Sequence, residues 1–136
     1  MDIRQVSQGF AVAPQIAPSD FAALADQGFV AVICNRPDGE EPGQPGVETM
    51  REAAQASGIA FHHIPVSGGA FPDAAIAAFG AVRRGTDGPV LAYCRTGTRS
   101  ITLDTLANPE GIDPQERLNR AAAAGYDLTG LREKLG

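Results

Sequence analysis

Cys94 closes a short apolar run and opens the stretch CRTGTRS, in which a turn built on Gly97 leads to Arg99 and Ser100. A cysteine acts as a nucleophile through its thiolate, and nearby cations or a helix N-terminus stabilise that form. Both are expected here. Gly97 permits a sharp turn between strand and helix. The backbone N–H groups of Arg95, Thr96, Gly97 and Thr98 can then line a nest for an anion. The helix beginning near Arg99 adds its positive end. The planar fork of Arg99 suits bidentate contact with an anion, and Arg95 adds a second cation. Ser100 is placed to donate a hydrogen bond to the sulfur. The stretch reads as an anion cradle with a nucleophile at its floor.

The surrounding elements must hold that cradle. IRQVSQGFAVAPQI predicts a short hairpin or two edge strands, with SQG as the turn. PSDFAALADQG predicts a helix capped by Ser19 or Asp20 and ended by Gly28. FVAVIC, IAFHHIPV and PVLAYC predict buried strands of a parallel sheet. VETMREAAQASG and FPDAAIAAFGAVRRG predict helices between them. RSITLDTLANPEG begins a helix stopped by Pro109 and Gly111, and DPQERLNRAAAAGYDLTGLREKLG supplies two more helical pieces divided at Gly125. Strand and helix alternate, so the expected fold is α/β: one domain over 1–136, with a mainly parallel sheet covered on both faces. Ligands bind such sheets beyond the carboxyl ends of the strands. The loops after Cys34 and Cys94 belong on that side.

The balance of charges limits the partners. The net charge is -5 and Lys plus Arg number 11, which argues against a nucleic-acid partner. No segment is apolar for long enough to span a membrane, and MDIRQVSQGF lacks a signal-peptide pattern. The expectation is a cytoplasmic protein with reduced thiols. His62 and His63 are adjacent and the two cysteines far apart, so no metal site is expected, and no cofactor is required.

Three stretches, NRPDGEEPGQP, YCRTGTRS and AAAAGYDL, resemble the beta-lactamase hydrolase-like, phosphatase-like domain family, a bacterial group with a dual-specificity-phosphatase-like fold. The resemblance covers nearly the whole chain. It implies Cys94 as nucleophile, Arg99 as anion-binding partner, and a segment around Arg36 and Asp38 close to the site. Members occur fused or adjacent to persulfide-oxidising metallohydrolases, which implies such a partner. Both phosphatase and sulfur-transferase activities are attributed to the family.

Three departures bear on that choice. Cysteine phosphatases place five residues between Cys and Arg; here four, Arg95 to Thr98, separate Cys94 from Arg99. The shorter loop resembles that of rhodanese-type enzymes, which hold a persulfide. Dual-specificity phosphatases carry an acid after a strand like HHIPV to protonate the leaving oxygen; here Ser67, Gly68 and Gly69 follow Val66, and Asp38 is the substitute. Tyr93 stands where these phosphatases generally carry His. The expectation is therefore a sulfur transferase that forms a Cys94 persulfide from a sulfane donor such as thiosulfate or glutathione persulfide and passes the sulfur to a thiol, sulfite or cyanide. The alternative is a phosphatase working through a Cys94-phosphate on a phosphate ester. A third reading is a binding module that senses an anion or redox state.

The remaining candidates are fewer. Cys34 ends its own strand and is either buried packing or a disulfide partner that protects Cys94. Arg36 is expected at the anion site or bracing it through a carboxylate, and Asp38 as proton donor or ligand to Arg99. His62, His63, Arg83 and Arg84 read as structural, and Tyr126 and Leu128 as packing of the last helix onto the body.

Overall fold

The computed structural model describes residues 1–136. Five strands form one sheet: β1 (Arg4–Ser7), β2 (Phe10–Ala13), β3 (Ala31–Cys34), β4 (Ala60–His63) and β5 (Val90–Tyr93). Their spatial order is β1-β2-β5-β3-β4. The β1–β2 hairpin is antiparallel, and every other pairing is parallel. The helices are α1 (Phe21–Asp26), α2 (Val47–Ala56), α3 (Asp73–Gly85), α4 (Thr98–Ala107) and α5 (Pro114–Ala123), and a final 3-10 segment covers Thr129–Leu135.

The period-two geometry of the strands sorts the core into two layers. Ala11, Ala13, Val32, Cys34, Leu91 and Tyr93 pack with Phe21 and Leu24 of α1 and Val47 and Met50 of α2. Phe10, Val12, Ala31, Ile33, Val90 and Ala92 pack with Phe79 of α3, Ile101 and Leu103 of α4, and Leu118 of α5. Two-faced burial explains why FVAVIC and PVLAYC are continuous apolar runs rather than alternating ones. No helix is long and apolar enough to cross a membrane.

One expectation is corrected and a second refined. The strand in IAFHHIPV is not a buried one: β4 lies at the sheet edge, and only Phe61 within it is buried. An edge strand has one sheet neighbour and a partly uncovered face, so its histidines are half-exposed. The first helix has Asp20 at its N-cap position, one of the two expected, but the Asp20 side chain does not bond forward into the helix. Its leading 3-10 turn starts after Ala17, and Asp20 reaches back to accept the Ala17 N–H at 2.8 Å.

α4 is the buried helix of the fold, with Ser100 through Thr105 all inside. Its buried polar groups therefore need partners. Arg83 of α3 donates to Asp104 at 2.7 Å and to Glu110 at 2.8 Å, and its guanidinium stacks 4.3 Å from the Phe10 ring centroid. Arg83, in the last turn of α3, thus ties α3 to α4.

Candidate active site

Cys94 follows β5 at the carboxyl end of the sheet, and α4 begins four residues later. Gly97 caps α4 with φ 92°, a conformation that favours glycine. A side chain at 97 would also run into the Tyr126 hydroxyl. The turn brings the Gly97 N–H back onto Cys94, donating to Sγ at 3.1 Å. The N–H groups of Arg95, Thr96, Arg99 and Ser100 have no protein acceptor. The Thr98 N–H makes only a long contact, 3.4 Å, with Thr96 Oγ1. The loop is thus a set of donors wrapped on a buried sulfur.

Arg99 occupies the first turn of α4. Its Nη1 and Nη2 donate to Glu40 at 2.8 Å each, and Nη1 donates to the Val66 carbonyl at 2.9 Å. The guanidinium also stands close enough to Cys94 to act on its charge. Glu40 is shared: Arg36 Nε donates to Oε1 at 2.8 Å. Hydrogen bonds from Arg99 and then Arg36 outweigh burial and hold the Glu40 carboxyl at about 2. Glu40 thereby links the loop after β3 to the Cys94 loop.

Arg36 is placed differently from an anion-binding residue. It is 1% exposed, the largest fully buried side chain of the chain. Its Nη1 donates to Gln15 at 3.0 Å, and Nη2 lies 2.9 Å from Glu41 but is too poorly aligned for a hydrogen bond. Its carbonyl accepts from His63 Nε2 at 3.0 Å and from the Cys34 thiol at 3.4 Å. The residue braces the site from beneath.

Asp38 is not the ligand of Arg99; that carboxylate is Glu40. Asp38 Oδ1 instead accepts the Val47 N–H at 2.8 Å and so caps α2. Ser100 Oγ does not donate to the sulfur. It donates to Asn35 Oδ1 at 2.8 Å, while Asn35 Nδ2 donates to the Ile64 carbonyl at 2.9 Å. These bonds tie α4 to the ends of β3 and β4. Arg95 is largely exposed, 3.9 Å from Glu41. The Val66 carbonyl on Arg99 brings the Ser67-Gly68-Gly69 segment to the border of the site, where it offers no carboxylate. Asp73 lies beyond it, at the start of α3.

Cys34 and Cys94 are both free thiols. Cys34 pairs in register with Tyr93 and packs in the same layer, whereas Cys94 is one residue further on, with its thiol turned into the loop. No disulfide joins them in this structure, and the two thiols lie close enough for their charges to interact. Burial pushes the Cys34 thiol up, and burial also drives the Tyr93 phenol well above its ordinary range. Tyr93 faces Cys34 and Gln15 inside the core, so it does not replace the histidine of a phosphatase loop. No group of His, Cys, Asp and Glu side chains is arranged to hold a metal.

Residues 2–111 match the model of the family described as beta-lactamase hydrolase-like protein, phosphatase-like domain. The chain belongs to that family. A beta-lactamase hydrolase-like protein of Agrobacterium fabrum is 43% identical over 109 residues, which cover 80% of the chain. The chain spans only 25% of that relative's length. A crystal structure of a candidate phosphatase from Neisseria meningitidis Z2491 superposes with TM-score 0.85 at 35% identity, covering 99% of this chain and 96% of that one. Tk-PTP superposes with TM-score 0.73 at 19% identity, over 98% of this chain and 92% of that one. At that identity the likeness shows the fold alone, that of the cysteine phosphatases. This phosphatase-like domain thus has the expected dual-specificity-phosphatase-like architecture, and none of these relatives supports the sulfur-transferase expectation.

Four residues of the site escape a reading of the motif: Glu40, Gln15, Asn35 and Tyr126. Glu40 and Asn35 lie in NRPDGEEPGQP and Tyr126 in AAAAGYDL, stretches that carry the family resemblance but give these residues no role at the site; Gln15 had no signal at all.

Proposed function

We propose that this domain is a cysteine-dependent phosphatase acting on small phosphate esters. The observation that carries the reading is the loop itself: Cys94 Sγ held by the Gly97 N–H, with further unpaired N–H groups around it and Arg99 closing it. Such donors stabilise an anion where charge develops. The Cys94 thiolate attacks phosphorus, an S–P bond forms, and the P–O bond to the leaving group breaks with its electron pair departing on oxygen. Water then attacks phosphorus, the S–P bond breaks, and phosphate leaves with the thiolate regenerated. The fold and the Neisseria relative support this reading.

Leaving groups that depart as stable anions fit the site best. The segment after Val66 supplies no acid, and Asp38 Oδ1 is committed to α2. An activated aryl leaving group such as 4-nitrophenolate departs as a stable anion with little help from a proton, whereas an alkoxide needs one. Asp38→Asn tests the remaining candidate acid, because asparagine keeps the cap. The expected result is an unchanged rate on aryl phosphates and a change below about threefold on alkyl phosphates, since general-acid catalysis is worth about a hundredfold or more. A hundredfold loss on alkyl phosphates alone would make Asp38 the acid.

A second reading rests on one observation, the four-residue spacing between Cys94 and Arg99. In it the Cys94 thiolate attacks the outer sulfur of thiosulfate, the S–S bond breaks, sulfite departs, and a Cys94 persulfide forms. Intact-mass spectrometry after brief mixing separates the two. A phosphoryl adduct on Cys94 from an aryl phosphate supports the phosphatase. A single added sulfur from thiosulfate, with no phosphoryl adduct, would replace it by the transferase.

A further inference from the structure

Tyr126 stands outside the segment matched by the family model and reads from the sequence as packing. The structure gives it a contact with the active-site loop. Its hydroxyl donates to the Thr96 carbonyl at 2.9 Å. That carbonyl and the Gly97 N–H belong to one peptide group, and the N–H donates to Cys94 Sγ at 3.1 Å. The two ends of a trans peptide point in opposite directions. Holding the carbonyl toward Tyr126 therefore holds the N–H toward the sulfur.

The residue at the hinge makes this pin necessary. A peptide flip between Thr96 and Gly97 changes ψ of Thr96 and φ of Gly97. Gly97 sits at φ 92°, and glycine populates negative φ about as readily. The backbone thus has no steric lock of its own here. A flipped peptide would turn the Thr96 carbonyl, an acceptor, onto Cys94 and repel its thiolate. Tyr126 is itself well anchored. Its N–H donates to the Ala121 carbonyl at 2.9 Å, and the Arg4 guanidinium lies 5.5 Å from its ring centroid while donating to the Ala124 carbonyl at 3.2 Å.

We infer that Tyr126 is a positioning residue that locks the Thr96–Gly97 peptide with its N–H on the Cys94 sulfur, and so sets the nucleophile's readiness. The inference rests on Cys94 being the nucleophile, but not on whether the group transferred is phosphoryl or sulfur.

The test is the pH profile of Cys94 alkylation by iodoacetamide, followed by peptide mass spectrometry, in the wild-type protein and in Tyr126→Phe. The other ionisable groups acting on Cys94 are Arg99, Cys34 and the Tyr126 phenol. Burial raises the latter two and the Glu40 hydrogen bond raises Arg99, so the difference between the two proteins' profiles, read on the Cys94 peptide, reports the change at Cys94. A hydrogen bond to a charged group that is worth a factor of about ten moves the midpoint by about one pH unit. The expected result is a midpoint about one unit higher in Tyr126→Phe, with the far-UV circular dichroism unchanged. A crystal structure of the variant with the peptide flipped would add direct support. An unmoved midpoint in the folded variant would overturn the inference. So would a variant that fails to fold, since the hydroxyl would then be holding the domain together rather than one peptide. A wild-type protein that forms no phosphoryl adduct, alongside a shifted midpoint in the variant, would sink the phosphatase reading and leave this one standing.

Discussion

Cys94→Ser is expected to reduce aryl-phosphate hydrolysis by about a thousandfold or more, since losing the nucleophile of a covalent mechanism leaves only the binding contribution of the site. The serine keeps the loop: its hydroxyl can accept the Gly97 N–H as Cys94 does at 3.1 Å. Stability should therefore change little, and the thermal midpoint checks this. What is lost is ionisation, because an alcohol is far harder to deprotonate than a thiol. Phosphate or vanadate should still bind the variant, since the unpaired N–H groups of Arg95, Thr96, Arg99 and Ser100 remain. Binding without turnover would separate the cradle from the nucleophile. Residual turnover within tenfold of wild type would mean that the hydrolysis does not pass through Cys94.

The second large effect belongs to Glu40. This carboxylate accepts two bonds from Arg99 and one from Arg36, each at 2.8 Å. Removing one member of a buried pair leaves its partner's charge uncompensated. Arg36 is buried and would keep Gln15 and Glu41, while Glu40 is itself 24% exposed. The expected cost of Glu40→Ala is therefore about 2 kcal/mol, below the range for a fully buried pair. Arg99 loses its orientation at the same time, and kcat/KM on an aryl phosphate should fall about tenfold or more. A rise in activity instead would show that Glu40 competes with the substrate for Arg99.

The same carboxylate makes the stability depend on pH. The Glu40 carboxyl sits at about 2 in the folded protein, below its ordinary value of 4.5. A group depressed by folding stabilises fully above its unfolded value, and that contribution is lost as pH falls toward the folded value. Denaturant titrations of the wild type and Glu40→Gln should therefore differ most above pH 4.5 and converge as pH falls toward 2. A constant difference across that window would mean that the two arginines do not hold Glu40 in its ionised form.

These effects show why part of the site can be read along the chain and part cannot. The cradle is contiguous. Cys94, Gly97 and Arg99 lie within one strand–turn–helix passage, and the conformations open to so short a segment are few. Glycine at 97, a cysteine before it and an arginine after it suffice to predict a loop that wraps its own sulfur. The fold class was legible for a similar reason. Strands buried on both faces must be apolar without interruption, and helices between them must carry one apolar face, so PVLAYC and FVAVIC announce central parallel strands.

The partners of those groups were decided only by the tertiary structure. Arg36 and Asp38 stand two residues apart in one loop, yet one is buried beneath the site and the other caps α2. Their sequence neighbourhood does not distinguish them, because what separates them is which way the chain leaves β3. Glu40 becomes the ligand of Arg99 across 59 residues, and Tyr126 the anchor of Thr96 across 30. The candidate nucleophile, its donor loop and the layered α/β frame could be read along the chain, because all are properties of short-range conformation and hydrophobic pattern. The sheet order, which brings the ends of β3 and β5 side by side, decided which carboxylate holds the arginine and which hydroxyl holds the peptide. Charge pairs and hydrogen bonds act over a few ångströms of space, whatever the distance along the chain.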